Sequence, residues 1–282
     1  ASHVDTWVGL GLVLVTALGL FELARRRFLA EWGEAQVEIE KEDRAFQIAR
    51  IPAQQVAAPL TRVVLPYLSR LLNDPAAYLD AVRKTQLALA TLLLSLLAFA
   101  AGTGDWLVPV VLGEGWQQAV PLLRVLCLAG ALQAIGYVTY WVLLSQGKTG
   151  LLFATEFGAR LIMIALIIAA AVRGPLWVAL AAAAGQALLL ISAAAVALPR
   201  ANVRPGPVLT PAMRPAVLFT VAATAAWAAG HLADPLPDIA ALLIAAFAFA
   251  AVCAGALALP GYRQDLKVLS ALALSVRRTR GS

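Results

Sequence analysis

The sequence predicts an all-α integral membrane protein with about eight transmembrane helices. Hydrophobic residues make up 61% of the 282 residues and charged residues only 13%, whereas a soluble domain has about 45–50% and about 25%. The mean hydropathy of +0.81 agrees with this assignment. No stretch alternates apolar and polar residues as the strands of a membrane barrel do, so we expect the spanning elements to be helices.

Eight apolar runs approach the length of roughly 20 residues that a bilayer span requires. Short turn signals such as Asn73-Asp74-Pro75 and Arg173-Gly174-Pro175 separate them, because proline and glycine interrupt helices. The predicted spans are 6–21, 51–72, 85–101, 117–144, 150–172, 176–198, 216–233 and 239–260.

The runs divide the chain into four parts. Residues 1–21 hold the first span, 22–50 form a charged helical insertion or loop, and 51–260 form a seven-span bundle. Residues 261–282 form a basic cytoplasmic tail, which is either an interfacial helix or a solvated end. The apolar residues that would face the membrane in the first case are Leu266, Leu269, Ala273 and Val276.

The distribution of lysine and arginine predicts the orientation, because these residues are more frequent in cytoplasmic loops. Twelve of them lie on the side that holds both termini and seven on the other side, so we expect both termini in the cytoplasm. Segment 22–50 alone carries seven acidic and six basic residues. Without residues 22–44 the two counts become twelve and two, so this segment is atypical of the rest of the chain.

Other kinds of site are not indicated. The net charge is +6, but the basic residues form no single patch and no nucleic-acid-reading motif. His3 and His231 lie far apart, and no metal-ligand set or nucleophile–base set can be assembled. Gly147-Lys148-Thr149 lacks the first glycine of a phosphate-binding loop, since position 142 is Val. The sequence therefore predicts no enzyme, no cofactor, no metal and no nucleic-acid partner.

Charged residues inside the predicted spans are the best candidates for substrate binding, since one ionised group at a helix centre costs about 2.5–3.5 kcal/mol. Arg62 lies at the centre of the second span, and Arg124 lies one to two turns inside the fourth. Glu156 and Arg160 lie four residues apart in the fifth span, a spacing that allows pairing. The helical face of Arg62 also carries Gln55, Pro59, Pro66 and Ser69.

We expect these charges to line one polar cavity, because four of them facing lipid would together cost about 10 kcal/mol. The predicted cavity residues are Arg62, Arg124, Glu156, Arg160 and Gln55. Three positive charges against one negative charge predict an anionic ligand. Two simpler readings stay open. Glu156 and Arg160 neutralise each other, or Arg124 extends to the lipid headgroups.

Three stretches carry family-like motifs. Residues 45–56, AFQIARIPAQQV, are followed by Arg62-Val-Val-Leu-Pro66-Tyr-Leu-Ser69. Residues 111–119, VLGEGWQQA, precede a long apolar run, and residues 4–9, VDTWVG, open the chain before Leu18-Gly19-Leu20-Phe21. Together, in this order, they resemble the polysaccharide (O-antigen, Wzx-type) flippases of the multidrug/oligosaccharidyl-lipid/polysaccharide exporter superfamily.

The resemblance implies that these spans correspond to the second lobe of a two-lobe exporter, so that an N-terminal lobe or a second copy of the chain would be its partner. In this family the motif near Phe21 runs almost directly into the motif near Phe46. Here residues 22–44 intervene. The fold of the first two spans is therefore the part that departs from the family pattern.

The resemblance also implies a function. Such a protein flips an undecaprenyl-pyrophosphate-linked oligosaccharide across the bacterial inner membrane for polysaccharide biosynthesis, with membrane lipids around it. Arg62, Arg124 and Arg160 would then attract pyrophosphate or acidic sugars. Two alternatives stay open. A drug or cation antiporter of the same superfamily would need more acids than bases in the cavity. A non-transporting membrane scaffold or remnant would fit the missing lobe and the charged segment.

Overall fold

The computed structural model describes residues 61–113, 115–233 and 236–279, with side chains up to residue 271. All of them belong to the compact unit Ala45–Ser282. This part of the chain is helical and contains no strand, as predicted. After a helical segment at 61–70, the helices are α1 (Pro75–Leu112), α2 (Ala119–Ser145), α3 (Thr149–Ala171), α4 (Pro175–Arg200), α5 (Pro205–Leu232), α6 (Asp238–Ala256) and α7 (Pro260–Thr279).

Within the described residues, the six helices α1 to α6 are long and apolar enough to cross a membrane. They coincide with the last six predicted spans, which are thereby confirmed. The predicted span 6–21, the segment 22–50 and residues 51–60 lie outside the described residues. The boundaries of the four predicted parts of the chain stay predictions.

Helix α1 is longer than the predicted span 85–101, because the charged residues before it do not prevent a helix. Asp74 caps its start: Oδ1 accepts two backbone N–H groups of the first turn, each at 3.1 Å, and Pro75 suits the first helical position. Lys84 pairs with Asp80 one turn earlier at 2.5 Å. The 38 residues of the helix extend roughly 57 Å at 1.5 Å per residue, well beyond the apolar thickness of a bilayer.

Helix α5 also begins before its predicted span 216–233, at Pro205. Proline at the first helical position removes no hydrogen bond, so the helix starts there directly after the extended Arg204. Pro211 and Pro215 lie inside the helix, where each removes a backbone hydrogen bond. In a membrane bundle, neighbouring helices help to satisfy the backbone groups that a proline leaves without a hydrogen bond. A proline-rich stretch that suggested a loop is therefore the first part of a helix.

Helix α4 changes its hydrogen-bonding pattern near its end. After Pro175–Ser192 the backbone forms a π-helical turn, Ala193–Ala197, before a last α-helical turn, Leu198–Arg200. Such turns are rare in proteins, and many of those that are observed lie at functional sites. Pro199 is a sequence signal for this irregularity, because a proline has no backbone N–H to donate to the carbonyl four residues earlier, which is that of Ala195 within the turn.

The largest group of buried side chains joins the helical segment 61–70 to α1, α2, α4 and α5. Trp141 of α2 is fully buried in it, and its Nε1 donates a hydrogen bond to Thr61 Oγ1 at 2.9 Å. This bond fixes the segment that contains Arg62 to the bundle. Other members of the group are Leu68, Val82, Val138, Leu198 and Val208.

Helix α1 is the centre of the bundle, since it packs against α2, α5 and α6. Small residues permit its close approach to α5: a Cβ added at Gly102 would lie 2.6 Å from the carbonyl oxygen of Ala223. The backbone of α5 cannot move aside as a flexible side chain can. Close packing through small residues is typical of membrane helices, which gain little from hydrophobic contact with each other.

The tail predicted at 261–282 is helical over α7 (Pro260–Thr279). Its first turns are attached to α5. Asp265 Oδ1 lies 3.4 Å from Arg214 Nη1, and the Tyr262 hydroxyl donates to the Arg214 carbonyl at 3.3 Å. Leu266 is half exposed. The position of this helix at a membrane surface stays a prediction.

Replacing Gly102 by alanine should lower the thermal stability of the protein, because the new methyl group meets the backbone of Ala223. Overpacking of this kind costs about 1–3 kcal/mol. The control is Gly158→Ala on α3, where nothing lies within 4 Å of the added carbon. That substitution should be neutral or stabilising by up to roughly 1 kcal/mol. Equal melting temperatures for the two variants in detergent would contradict the close approach of α1 and α5.

Candidate functional site

Arg62 lies on the exposed face of the helical segment 61–70. Val64 and Leu68 on the opposite face are buried against the bundle. Pro66 and Ser69, two further members of the stripe predicted from the sequence, are exposed like Arg62, whereas Pro59 lies outside the described residues. Gln55, the other predicted member of this stripe in the candidate cavity, lies outside the described residues.

Arg124 is held by α1. Its Nη2 lies 2.5 Å from Asp105 Oδ2, and its Nε donates to the carbonyl of Ala101 at 3.2 Å. Asp105 was not among the predicted site residues, because the apolar run that predicts the third span stops at residue 101. Gly113, which ends the helix with a φ of 92°, is the signal that extends α1 past Asp105.

Glu156 and Arg160 form the ion pair that their spacing allows. Arg160 donates to Glu156 Oε2 from Nη2 at 3.0 Å and from Nε at 3.2 Å. Both side chains are partly exposed, and the two charges cancel locally. The pair is therefore compatible with neutral ligands as well as with anionic ones.

These two residues line a cavity of about 170 Å³ between α2, α3 and α4, which we call the polar cavity. It lies near the end of α2 and the start of α3, and the π-helical turn of α4 contributes Ala193 and Ala197 to its wall. Its polar lining residues are Gln133, Tyr137, Thr139, Tyr140, Thr155, Glu156, Arg160, Gln186 and Ser192.

Thr139 brings an unsatisfied hydroxyl to the polar cavity. Its side chain is 2% exposed, and its Oγ1 has no hydrogen-bond partner among the described residues. Threonine in a membrane helix normally donates to the carbonyl four residues earlier, as Thr103 does to Phe99 at 2.7 Å. Gln86 of α1 donates instead to that carbonyl, the one of Ile135, at 3.3 Å. A buried hydroxyl without a partner carries an uncompensated desolvation cost.

A second cavity, of about 560 Å³, lies between α1, α2 and α5, and we call it the apolar cavity. Leucine, alanine and phenylalanine side chains form most of its wall. Arg124 and Trp227 lie at the end where α2 starts and α5 ends. Cys127, one turn after Arg124, is a free buried thiol in the same wall.

The predicted charged residues therefore do not meet in one cavity within the described part of the chain. Glu156 and Arg160 line the polar cavity, Arg124 lines the apolar cavity, and Arg62 lies on the exposed face of segment 61–70. Each of the two arginines inside the bundle has a carboxylate partner. The excess of positive charge expected from the sequence is thus reduced by Asp105, and the role of these residues in substrate binding stays a prediction.

The helices and their two cavities define a multi-pass helical membrane protein with an internal polar site. Residues 42–121 match a protein family described as "Polysaccharide biosynthesis protein". The chain is 29% identical over 118 residues to the teichuronic acid biosynthesis protein TuaB of Bacillus subtilis (strain 168). This aligned stretch covers 42% of this chain and 24% of that protein. The chain is 23% identical over 137 residues to the lipopolysaccharide biosynthesis protein WzxC of Escherichia coli (strain K12), with 48% and 28% covered.

The matched stretches span about a quarter of the length of these two relatives. No solved structure matches the chain. The resemblance predicted from the sequence motifs is confirmed over the matched residues: the chain is related to the polysaccharide biosynthesis family and to bacterial proteins of the Wzx type.

Replacing Thr139 by valine should stabilise the empty protein or leave it unchanged. The substitution removes a buried hydroxyl that has no partner, and such a group carries an uncompensated desolvation cost of about 1–3 kcal/mol. Thr103→Val is the matched control, because it removes a fully buried hydroxyl that does donate a hydrogen bond. We expect a lower melting temperature for the control only. A lower value for both variants would show that Thr139 has a partner in the protein.

Proposed function

We propose that this chain is part of a transporter that moves a lipid-linked oligosaccharide from the cytoplasmic to the outer leaflet of the bacterial inner membrane. The observation that carries the proposal is the polar cavity, which lies within helices long enough to span a bilayer. The names of the two relatives refer to teichuronic acid and lipopolysaccharide biosynthesis, which supports a glycan as the cargo. Transport, and not catalysis, is the activity we assign.

The lining of the polar cavity suits sugar hydroxyl groups, which both donate and accept hydrogen bonds. Gln133 and Gln186 offer amide groups with the same dual capacity, and Thr139 offers a hydroxyl that has no partner among the described residues. Tyr137 and Tyr140 add apolar ring faces together with phenolic groups. A bound glycan would thus replace water at these groups, while the surrounding helices exclude the lipid chains.

The ion pair gives the cavity a defined place for a phosphate or an acidic sugar. Arg160 uses two of its nitrogens for Glu156, and a guanidinium group carries five N–H donors in all. The remaining donors are available to an anionic oxygen of the substrate. Glu156 orients the guanidinium group and balances its charge when the cavity is empty. In an antiporter for cationic drugs, acids would instead exceed bases here.

The other wall of the transport pathway would come from a second lobe or a second copy of the chain. The matched stretch corresponds to about a quarter of the length of each relative. Transporters built from structural repeats move two halves around a central site. The exposed face that carries Arg62, Pro66 and Ser69 is the surface we assign to that partner or to the pathway itself. With both termini in the cytoplasm, the polar cavity lies in the cytoplasmic half of the bundle, where the substrate would enter.

Arg62→Ala should abolish glycan export while leaving the amount of protein in the membrane unchanged. The measurement is the transfer of a labelled lipid-linked oligosaccharide across proteoliposomes that contain the native polypeptide, with and without a supplied first lobe. Arg70→Ala is the control, since Arg70 is also exposed on the same helical segment but lies at its end. Full export by the Arg62→Ala variant would show that Arg62 is not needed for transport. No transfer by any wild-type assembly would contradict the proposed function.

Thr139→Val should reduce transport about fivefold, because the lost hydrogen bond to the glycan is worth about 1 kcal/mol. The same substitution is expected to preserve or raise the stability of the empty protein. Reduced transport with intact stability would place the glycan at the polar cavity. Unchanged transport with intact stability would show that the substrate does not use this hydroxyl and would leave the polar cavity without its strongest ligand contact.

A further inference from the structure

Helix α7 differs from the other described helices in the pattern of its sequence. It is not among those that are long and apolar enough to cross a membrane. Tyr262, Leu266 and Leu269 follow one another at spacings of four and three residues, so they share one face of the helix. Arg263 and Lys267 lie four residues apart on another face, and both are exposed. A helix with one apolar and one basic face is typical of segments that lie along a membrane surface.

The first turns of α7 lie where the apolar spans end. Arg214 of α5 contacts both Tyr262 and Asp265 of α7. It comes two residues before the apolar stretch 216–233 of α5. Helix α6, which is also apolar enough to span the membrane, ends at Ala256, four residues before α7 begins. A membrane around these spans would therefore place the start of α7 at the boundary between the acyl chains and the headgroups.

The ion pair with Arg214 also fixes the rotation of α7 about its own axis. Asp265 faces α5 through Oδ1, and its Oδ2 is buried. Because a helix turns about 100° per residue, Arg263 and Lys267, two residues to either side of Asp265, point away from α5. Leu266 lies between these two directions and is 50% exposed. The outer surface of α7 thus combines an apolar side chain with two basic ones.

Positive charge predominates at this end of the protein. Residues 260–279 contain four basic residues and one acidic residue, Asp265, which pairs with Arg214 of α5. The turn between α4 and α5 adds Arg200 and Arg204, both exposed. That turn lies at the same end, because the first turns of α5 follow it directly and carry the contact to α7. A surface of this sign attracts anionic lipid headgroups.

We propose that α7 is an interfacial helix that binds anionic phospholipids at the membrane surface. Leu266 and Leu269 lie among the upper parts of the acyl chains, and Arg263 and Lys267 contact lipid phosphates. The long stems of arginine and lysine let their charges reach the headgroups from a helix at this boundary. The inference goes beyond the proposed function, since it concerns membrane lipids and requires no cargo.

The first experiment locates α7 relative to the membrane in the full chain. Cys127→Ser and Cys253→Ser give a background without cysteine, and a fluorescent thiol label is attached through Leu266→Cys or Ala271→Cys. The protein is placed in nanodiscs of phosphatidylcholine and phosphatidylglycerol in equal amounts, with bromine on the acyl chains as a contact quencher. We expect strong quenching of the label at residue 266 and weak quenching at residue 271, which is exposed on the basic side. No quenching at residue 266, or equal quenching at both positions, would overturn the proposal.

The second experiment measures lipid selectivity with the label at residue 266. The overall lipid composition is kept constant, and bromine is carried either by phosphatidylglycerol or by phosphatidylcholine. The ratio of the two quenching efficiencies then reports which lipid lies beside α7. We expect a preference of at least about fivefold for phosphatidylglycerol, the effect of one basic residue near an anionic surface. High salt should weaken this preference, because it screens exposed charges.

Two charge variants should change this preference in opposite directions. Lys267→Gln should lower it about fivefold, and Gln264→Lys, which adds a charge to the exposed basic side, should raise it about fivefold. Lys267 is chosen because Arg263 also donates a hydrogen bond to the carbonyl of Leu257. Arg173→Gln is the control, since Arg173 is exposed in the turn between α3 and α4 and should not affect the preference.

A folding defect would not raise the preference, so the Gln264→Lys variant separates lipid binding from damage to the protein. Equal quenching by the two lipids in the labelled protein without a charge substitution would overturn the proposal. So would charge variants that leave the preference unchanged or move it in the same direction.

Discussion

The structure depends on one constraint: a polar group inside a membrane-spanning bundle finds its partner within the protein, because the bilayer interior supplies none. Two ion pairs meet this constraint, Arg124 with Asp105 between two helices and Arg160 with Glu156 along one helix. The buried indole of Trp141 meets it by donating to Thr61. Two of these contacts, Arg124 with Asp105 and Trp141 with Thr61, join different helical segments and hold them together.

Helix α2 has a special place in this arrangement, since it lines both cavities. Its residues 124–135 face the apolar cavity and its residues 132–143 face the polar cavity, with Leu132 in both walls. The polar cavity lies near the end of α2, and the pair of Arg124 with Asp105 lies near its start. A displacement of α2 along or about its axis would therefore change both sites together. This gives a physical route by which events at one end of the bundle affect the other.

The two cavities also show how charge is distributed among these membrane helices. Arg124 and Arg160 each pair with a carboxylate, so the charge that each brings to its cavity is balanced by a neighbouring group. The uncharged polar groups of the polar cavity, among them those of Gln133 and Gln186, therefore make up most of its polar lining. Arg62 lies apart from both cavities, on the exposed face of segment 61–70.

The sequence by itself determined the class of protein, the presence of the last six spans and the family resemblance, and its i,i+4 spacing allowed the pairing of Glu156 with Arg160, because hydropathy, spacing and turn residues are local properties. It did not determine the true lengths of α1 and α5, whose charged or proline-rich ends are helical through capping and tertiary packing. Only the tertiary structure brought Arg124 and His231 to Asp105, separated the two cavities and left the Thr139 hydroxyl without a partner among the described residues. The reason is that residues 105, 124 and 231 are distant along the chain, and only the packing of three helices brings them together.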